Sequence, residues 1–331
     1  MIAKDINAMQ KKYKVVVTDY HYDSIQPYWD VYNQHPDIEF IPLQLTEKED
    51  IMRETEYADA VQCHFDKIDA DIIKNMKKCK AIVRNAVGVD NIDLDAASEM
   101  KIPVVNVPDY CMEEVSNHAM MLILNCCKKF NLLERSAKSG TWDNEVIKPV
   151  HAIRYQTLGL LGCGNIARHL VPKAKAFGMH VIGYDPYLSD ETFEKIGVER
   201  YTDMDAFLGE SDFVNMQLHL TKDTAKMVNK EFLSKMKPSA YLINTARGGI
   251  VDEEALAEAI RNKVIAGAGL DVLSSEHVPA DHPLLQFDNV IVTPHAAWYS
   301  AEAEQTLLTN AALEVVRALH GEPVKHQVNR F

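Results

Sequence analysis

Three polar side chains, Arg247, Glu276 and His295, are spaced so that each could follow a different strand of one sheet. The planar guanidinium of an arginine can hold a carboxylate and a carbonyl oxygen together. An imidazole can donate a proton near neutral pH, and a carboxylate on its other ring nitrogen fixes the tautomer and favours the protonated ring. These residue types suit the reduction of a 2-keto acid by hydride. In that reaction Arg247 would bind the acid, His295 would donate the proton and Glu276 would orient His295.

A glycine-rich turn could supply the hydride donor. An apolar run leads into Gly162, Gly164 and Ala167, which form the pattern G-x-G-x-x-A, with Asn165 and Ile166 opening the next predicted helix. In the dinucleotide fingerprint the glycines allow a tight turn and a close approach to a pyrophosphate, which lies over the helix N-terminus. The alternative is an ordinary glycine turn.

The next apolar run ends in Asp185, close to the ~20-residue spacing after the first glycine that is expected of the acid binding an adenosine ribose. A carboxylate there accepts both ribose hydroxyls and repels a 2′-phosphate. The pattern therefore predicts NAD rather than NADP as the cofactor. The alternative is a solvated aspartate at a strand end.

The composition of the chain limits the number of domains, the partners and the cellular location that we expect. A chain of 331 residues with 47% apolar residues predicts two packed domains, and a net charge of −13 argues against nucleic acid or an anionic membrane as a partner. We find no signal-like apolar stretch and no transmembrane run, so we expect a cytoplasmic protein. The six cysteines show no C-x-x-C or zinc spacing, which predicts reduced thiols and no metal site.

Short apolar runs alternate with helix-like spans, which predicts an α/β protein with two doubly wound parallel sheets. The predicted strands are 14–18, 38–41, 59–63, 81–84 and 102–106, followed by 157–161, 179–184, 213–218, 240–244, 265–270 and 289–293. The predicted helices include 25–34, 47–57, 70–77, 94–99, 113–128 and 300–319. The helix over 113–128 is apolar almost all round, so we expect it to lie between the domains and against a second subunit. The helix over 300–319 is expected to return to the first domain.

Several linear motifs together resemble the D-isomer-specific 2-hydroxyacid dehydrogenase family. They are Asn106-Val-Pro108, Gly162–Ala167, Asn244-Thr-Ala-Arg-Gly-Gly-Ile-Val-Asp-Glu254, Gly269-Leu-Asp271-Val with Glu276 after it, and Thr293-Pro-His295. The stretches 184–190 and 293–300 look most similar to the C-terminal-binding-protein co-repressor branch. The resemblance implies a Rossmann NAD-binding domain over 110–298 inserted in a flavodoxin-like substrate domain formed by 1–109 and 299–331.

The resemblance also assigns residues to the cofactor and the substrate. Thr245 and Ala246 would contact NAD through their backbone, and Asp271 would accept a hydrogen bond from the nicotinamide carboxamide, although a helix-capping role for Asp271 stays open. The backbone N–H groups of Ala86, Val87 and Gly88 would bind the substrate carboxylate. The remaining candidates could line the substrate pocket or could equally be interdomain packing: His64, Arg84, Tyr110 and Trp298.

The expected function is an NAD-dependent reductase of a small 2-keto acid, acting as a homodimer through the NAD-binding domain. The alternative is an NAD-sensing scaffold that binds protein partners, for which we would expect long disordered tails. A 3-phosphoglycerate dehydrogenase is less expected because no regulatory domain follows residue 331. A formate dehydrogenase is less expected because Glu276 stands where that branch uses an amide.

Overall fold

The computed structural model describes residues 12–331, and the chain divides into two compact units. The first unit contains the residues up to Tyr110 together with Ser300–Phe331. The second unit is the continuous segment Cys111–Tyr299. Each unit is built on one sheet, and all neighbouring strands of both sheets are parallel. The predicted fold class is confirmed.

The first unit has five strands in the order β2-β1-β3-β4-β5, which is the flavodoxin-like order. The strands are β1 (Tyr13–Val17), β2 (Ile38–Pro42), β3 (Ala60–Cys63), β4 (Ile82–Arg84) and β5 (Val104–Val105). The helices that precede the second unit are α1 (Gln26–Tyr32), α2 (Lys48–Thr55), α3 (Ala70–Asn75) and α4 (Leu94–Glu99). Val15, Val16 and Val17 are fully buried, as expected of a β-branched strand covered on both faces.

The second unit has seven strands in the order β12-β11-β10-β9-β6-β7-β8. The strands are β6 (Thr157–Leu161), β7 (His180–Tyr184), β8 (Glu199–Tyr201), β9 (Phe213–Met216), β10 (Tyr241–Asn244), β11 (Gly267–Leu270) and β12 (Val290–Val292). The helices are α5 (Met112–Lys128), α6 (Phe130–Lys138), α7 (Asn165–Ala176), α8 (Asp190–Ile196), α9 (Met204–Glu210), α10 (Lys230–Lys235) and α11 (Glu253–Arg261). The strand order reverses at β6, and ligands of open parallel sheets bind outside the carboxyl ends of strands at such a reversal.

The last helix, α12 (Ala301–His320), belongs to the first unit, where it packs against α1, β3 and β4. The Ser300 hydroxyl accepts a hydrogen bond from the Ala303 N–H at 3.0 Å and so caps the helix N-terminus. Gly321 ends the helix with a left-handed φ of 74°. Neither this helix nor any other in residues 12–331 has the length and apolar character needed to cross a membrane.

The second sheet has one strand more than the sequence predicts. The additional strand, β8, has three residues, Glu-Arg-Tyr, which are exposed or half-buried at the edge of the sheet. An edge strand of this kind buries little apolar surface, so it leaves no apolar run in the sequence.

The helix α5 has the predicted position but different surroundings. It packs against α7, β10 and β11 of its own unit, and Ala119, Leu122 and Ile123 are fully buried. The helix was expected to lie between the domains and against a second subunit, whereas these contacts come from its own unit. The exposed large apolar side chains of this region instead lie mainly after the helix: Phe130, Trp142, Val146 and Tyr155.

Candidate functional site

The glycine turn after β6 lies at the reversal of the seven-stranded sheet. Gly162 has φ +92°, and a Cβ at this position would lie 2.6 Å from the Gln217 carbonyl oxygen, so only glycine fits. Gly164 is exposed, and a Cβ there would meet nothing within 4 Å. No side chain in residues 12–331 caps α7. The N–H groups of Asn165 and Ile166 in its first turn can therefore bind an anion.

Asp185 follows β7 directly and lies beside this turn. Its Oδ2 accepts a hydrogen bond from the Cys163 N–H at 3.0 Å, and its Oδ1 accepts one from the Tyr187 N–H at 3.0 Å. The side chain is half-buried, so a carboxylate is fixed next to the turn and remains open to a ligand. This is the position expected of an acid that binds an adenosine ribose.

The loop after β10 carries Thr245, Ala246 and Arg247. The Asn244 side chain spans this loop, since its Nδ2 donates to the Arg247 carbonyl and its Oδ1 accepts from the Ala246 N–H, both at 2.9 Å. The Arg247 guanidinium is half-buried and donates from Nη1 to the Ala246 carbonyl at 2.8 Å. The loop therefore holds a partly exposed cation at the carboxyl edge of the sheet.

Thr245 provides a test of whether the residues fit a bound cofactor. Its hydroxyl is buried and has no hydrogen-bond partner in the described part of the chain. A buried hydroxyl without a partner costs about 1–3 kcal/mol, and a polar group of a ligand at this edge would remove that cost. Together with the open glycine turn and the Asp185 carboxylate, this hydroxyl fits a dinucleotide.

A close approach between two loops fixes the region where the catalytic candidates lie. A Cβ on Gly248 would lie 1.9 Å from the carbonyl carbon of Leu273, so the backbone following Arg247 packs directly on the backbone following β11. No other residue type fits at Gly248. This contact joins the loop that carries Arg247 to the loop that leads to Glu276.

The structure brings Glu276 and His295 together. The His295 Nδ1 lies 2.7 Å from Glu276 Oε1, and both side chains are partly exposed. A carboxylate at Nδ1 makes that nitrogen the donor of the pair, which leaves Nε2 to exchange a proton with a substrate. His295 also has a left-handed φ of 52°, which is uncommon for a residue other than glycine.

The backbone of His295 is held by Asp271, which is almost fully buried after β11. The His295 N–H donates to the Asp271 carbonyl at 2.8 Å. The Asp271 Oδ1 accepts from the Thr293 hydroxyl at 2.6 Å and the Ala296 N–H at 3.0 Å, and its Oδ2 accepts from the Ala297 N–H at 2.9 Å. The carboxylate thus fixes the loop on both sides of His295. Its contact with a nicotinamide carboxamide stays a prediction.

His118 of α5 completes this network, although no sequence motif points to it. Its Nε2 lies 2.8 Å from the Thr293 hydroxyl oxygen and 3.3 Å from Asp271 Oδ1. Because the Thr293 hydroxyl donates its hydrogen to Asp271, the His118 Nε2–H must donate to Thr293. A histidine within an apolar helix was the available signal, since a helix of that composition faces the sheet.

In the first unit, the loop after β4 presents its carbonyl groups to protein donors. The Val107 N–H donates to the Ala86 carbonyl at 3.0 Å, the Asn106 amide donates to the Val87 carbonyl, and the guanidinium of Arg84 donates to the Gly88 carbonyl. In a trans peptide the N–H points opposite to the preceding carbonyl. The N–H groups of Val87 and Gly88 therefore point away from these donors, as an anion-binding loop requires.

Arg84 and His64 have positioning contacts beside this loop. The Arg84 Nε donates to the His64 carbonyl at 3.1 Å, and the His64 ring stacks on Tyr22 with centroids 5.1 Å apart. The His64 N–H donates to the buried Asp19 at 2.8 Å. Burial raises the pKa of the Asp66 carboxyl to about 6, and Asp19 adds to this effect. This edge therefore carries carboxylates as well as Arg84.

Two further candidates lie near the ends of the units. Tyr110 is half-buried at the last position of the first segment of the first unit. Trp298 is half-buried in the second unit, and its ring meets the Tyr299 ring edge-on at 5.5 Å. Their assignment to a substrate pocket stays a prediction.

Comparisons with known proteins show which family the chain is similar to. A family model described as D-isomer specific 2-hydroxyacid dehydrogenase, NAD binding domain, matches residues 120–297. A D-3-phosphoglycerate dehydrogenase from Methanocaldococcus jannaschii is 37% identical over 318 residues, which are 96% of this chain and 59% of that protein. The chain thus spans well under two thirds of the length of this relative.

Two solved structures cover almost the whole chain. D-Lactate dehydrogenase from Aquifex aeolicus, complexed with NAD and lactic acid, superposes with a TM-score of 0.83 at 28% identity, covering 93% of this chain and 96% of that chain. An acyclic imino acid reductase in complex with NADPH and D-Arg gives a TM-score of 0.83 at 26% identity, covering 95% and 100%.

The chain belongs to the D-isomer-specific 2-hydroxyacid dehydrogenase family, and its second unit contains the NAD-binding domain of that family. The predicted family and the predicted cofactor, NAD, are therefore confirmed. The similarity to the co-repressor branch stays a prediction.

Proposed function

We propose that this protein transfers hydride between NADH and a small 2-keto acid, which gives a D-2-hydroxy acid. The observation that carries the proposal is the 2.7 Å contact between His295 Nδ1 and Glu276 Oε1 on the sheet edge that also holds Arg247 and the dinucleotide fingerprint. A histidine fixed by a carboxylate, on the same sheet edge as a cation, supplies the proton donor and the charge that ketone reduction needs.

Each side chain has one task in the proposed reaction. Bound NADH supplies the hydride. Arg247 binds the substrate carboxylate and polarises the ketone, because its fork of donors can reach oxygens of both groups. His295 donates a proton from Nε2 to the ketone oxygen, and Glu276 stabilises the protonated ring from which that proton comes. Since His295 is partly exposed, it can take up its next proton from solvent.

We assign substrate binding to the predicted domain over 1–109 and 299–331, which differs from the first unit by one residue at each boundary, and cofactor binding to the predicted domain over 110–298. The inward carbonyl groups of the loop Ala86–Gly88 support this assignment, because the N–H groups of Val87 and Gly88 then form a site for a carboxylate. The contacts of Arg84 and His64 support a role in holding this loop. Tyr110 and Trp298 stay candidates for contacts with the substrate.

We propose an unphosphorylated substrate, although the relative named above is a D-3-phosphoglycerate dehydrogenase. Asp19 and Asp66 follow β1 and β3 at the edge where the Ala86–Gly88 loop lies. The guanidinium of Arg84 is bonded to the carbonyl groups of His64 and Gly88. A phosphate at this edge would therefore face carboxylates and would find Arg84 already engaged.

The test is a substrate panel assayed in both directions. Pyruvate, glyoxylate and longer 2-keto acids are supplied with NADH, D-lactate and D-3-phosphoglycerate are supplied with NAD⁺, and the NADH absorbance is followed. We expect turnover of an unphosphorylated acid and its loss in the His295→Ala variant. Preferred turnover of D-3-phosphoglycerate would overturn the proposed substrate class but leave the reaction type intact.

The panel also separates the enzyme from an NAD-sensing scaffold. A scaffold would bind NADH and turn over none of the acids, whereas an enzyme would do both. An imino acid arm, pyruvate with an amine, covers the reaction class of the reductase bound to D-Arg. We further propose a cytoplasmic homodimer that forms through the NAD-binding unit.

A further inference from the structure

Three side chains that can ligate a metal meet at the amino-terminal edge of the five-stranded sheet. His35 follows α1, Asp37 directly precedes β2, and His320 is the last residue of α12. One ligand atom of each lies within 4.8 Å of the other two, and no other such group of three occurs in residues 12–331. This edge is opposite to the carboxyl edge that carries the Ala86–Gly88 loop.

The three side chains stand on ordered backbone. The His35 N–H donates to the Tyr32 carbonyl, the His35 carbonyl accepts from the Ile38 N–H, and the Asp37 carbonyl accepts from the Tyr13 N–H, each at 3.0 Å. His320 closes the last turn of a 20-residue helix. The positions of the three Cα atoms are therefore set by the fold rather than by a long loop.

The ligand atoms of the three side chains lie near one another. The His320 Nε2 lies 3.0 Å from Asp37 Oδ2, and the His35 and His320 ring centroids are 5.4 Å apart. The His320 ring also packs near Tyr13, with centroids 6.0 Å apart. One oxygen of the Asp37 carboxylate and one nitrogen of the His320 ring are thus close enough to contact a single ion.

We propose that His35, Asp37 and His320 bind one Zn²⁺ or a chemically similar divalent transition-metal ion. Two imidazoles and one carboxylate are the donor types that Zn²⁺, Co²⁺ and Ni²⁺ accept, and three protein ligands leave a fourth position for water. With metal–ligand distances of about 2.0–2.2 Å, small side-chain rotations bring atoms now within 4.8 Å of one another onto one ion.

The charges near the site set its expected strength. Asp37 supplies a single negative charge, while the ammonium groups of Lys12 and Lys80 lie 4.9 and 4.5 Å from the Tyr13 ring centroid. These cations oppose a divalent ion, so we expect weaker binding than at a closed structural zinc site. The ion would join the start of β2 to the end of α12, and so it would stabilise the first unit rather than take part in hydride transfer.

The experiment measures metal binding on the whole, tag-free protein after treatment with EDTA. We expect one equivalent of Zn²⁺ by calorimetry, a visible d–d absorption band on titration with Co²⁺, and a higher Tm with Zn²⁺ than in EDTA. His35→Asn and His320→Asn should each remove the band and the Zn²⁺-dependent rise in Tm.

The matched control is His180→Asn, because His180 is an exposed histidine paired with a carboxylate, Glu199, at 2.9 Å in the second unit. This variant should bind Zn²⁺ like the unmodified protein. Melting each variant in EDTA separates a folding defect from loss of the ion. An unchanged Co²⁺ band in the His35→Asn and His320→Asn variants, or no band in the unmodified protein, would show that the group is only a surface ion pair.

Discussion

The imidazole of His295 can pass a proton to a substrate only through Nε2, because Glu276 engages Nδ1 at 2.7 Å. The pair is partly exposed, so the ring can exchange protons with water between turnovers. Arg247 cannot replace it, since a guanidinium does not release a proton near neutral pH. Side-chain chemistry therefore makes His295 the candidate proton donor and Arg247 the candidate permanent cation.

Removal of the proton donor should affect the chemical step rather than cofactor binding. We expect His295→Ala to lower kcat by about 10² or more, and Glu276→Gln to lower it less, because an amide can still hold Nδ1 but cannot stabilise the protonated ring. NADH binding, measured by fluorescence, should be unchanged in both variants. Equal loss of NADH affinity and kcat would reassign His295 to cofactor binding.

Asp185 should determine the choice of cofactor. Its carboxylate lies beside the glycine turn through the Cys163 N–H, where a 2′-phosphate would meet a negative charge. We expect the unmodified protein to bind NADH at least about tenfold more tightly than NADPH, which corresponds to ~1.4 kcal/mol.

The Asp185→Ala variant should lose most of that preference in the same binding titration. The control is Asp190→Ala, which removes an exposed acid that lies close to Asp185 in the sequence and pairs with Arg200. Equal binding of NADH and NADPH by the unmodified protein would refute the role of Asp185.

At the scale of elements, the loop between β12 and α12 is held by a carboxylate that never reaches its surface. The Asp271 carboxylate accepts hydrogen bonds from the Thr293 hydroxyl and from the N–H groups of Ala296 and Ala297. His118 of α5 donates a hydrogen bond to the Thr293 hydroxyl. The left-handed φ of His295 is stabilised by these contacts. Residues of α5 and of the loops after β11 and β12 together fix the position of the His295 ring.

Loss of His118 should loosen this loop. We expect His118→Ala to lower kcat by a few-fold to about tenfold, as expected for one lost hydrogen bond of about 0.5–1.5 kcal/mol, with little change in NADH affinity. His118→Gln should recover part of the activity, because its amide can donate to Thr293.

The control for this prediction is His169→Ala, which removes a half-buried histidine of α7 that pairs with Glu113. This variant should keep its activity. If His118→Ala and His118→Gln were equally impaired in proportion to a lower Tm, His118 would have a packing role only.

The sequence predicts the features that depend on residues close together in the chain, and it misses those that depend on contacts between distant segments. The strands that are buried on both faces, such as β1 and β6, appear as apolar runs, and the glycine turn and Asp185 follow at fixed spacings. The edge strand β8 buries too little to leave such a run. The contact between His118 and Thr293 joins distant segments, and the cluster around His320 does the same, so neither leaves a pattern in the sequence.

At the scale of the whole molecule, the exposed apolar side chains favour self-association. Trp142 is 84% exposed and Tyr155 is 75% exposed, and Phe130 and Val146 of the same segment are also exposed. Such side chains are stabilised when a partner covers them. Since the segment belongs to the NAD-binding unit, a homodimer formed there places like surfaces against each other.

Light scattering at micromolar concentration should report a dimer. The double variant Phe130→Glu and Trp142→Glu should become monomeric, because each introduced charge would have to be buried in the interface. The control is Tyr57→Glu, an exposed aromatic residue of the first unit, which should remain dimeric. A monomeric unmodified protein would contradict the proposed assembly.

The division of the first unit into two stretches of chain has a consequence for biosynthesis. The residues of the second unit are continuous and leave the ribosome before α12 does. By contrast, β3 and β4 are synthesised early, but α12, which packs against them, is synthesised only after the second unit. Four apolar side chains of that helix are fully buried or nearly so: Leu307, Leu308, Ala311 and Val315. The face of the first sheet that α12 covers is therefore exposed to water until α12 has been synthesised. The NAD-binding unit can therefore fold on the nascent chain before the first unit, to which we assign substrate binding, is complete.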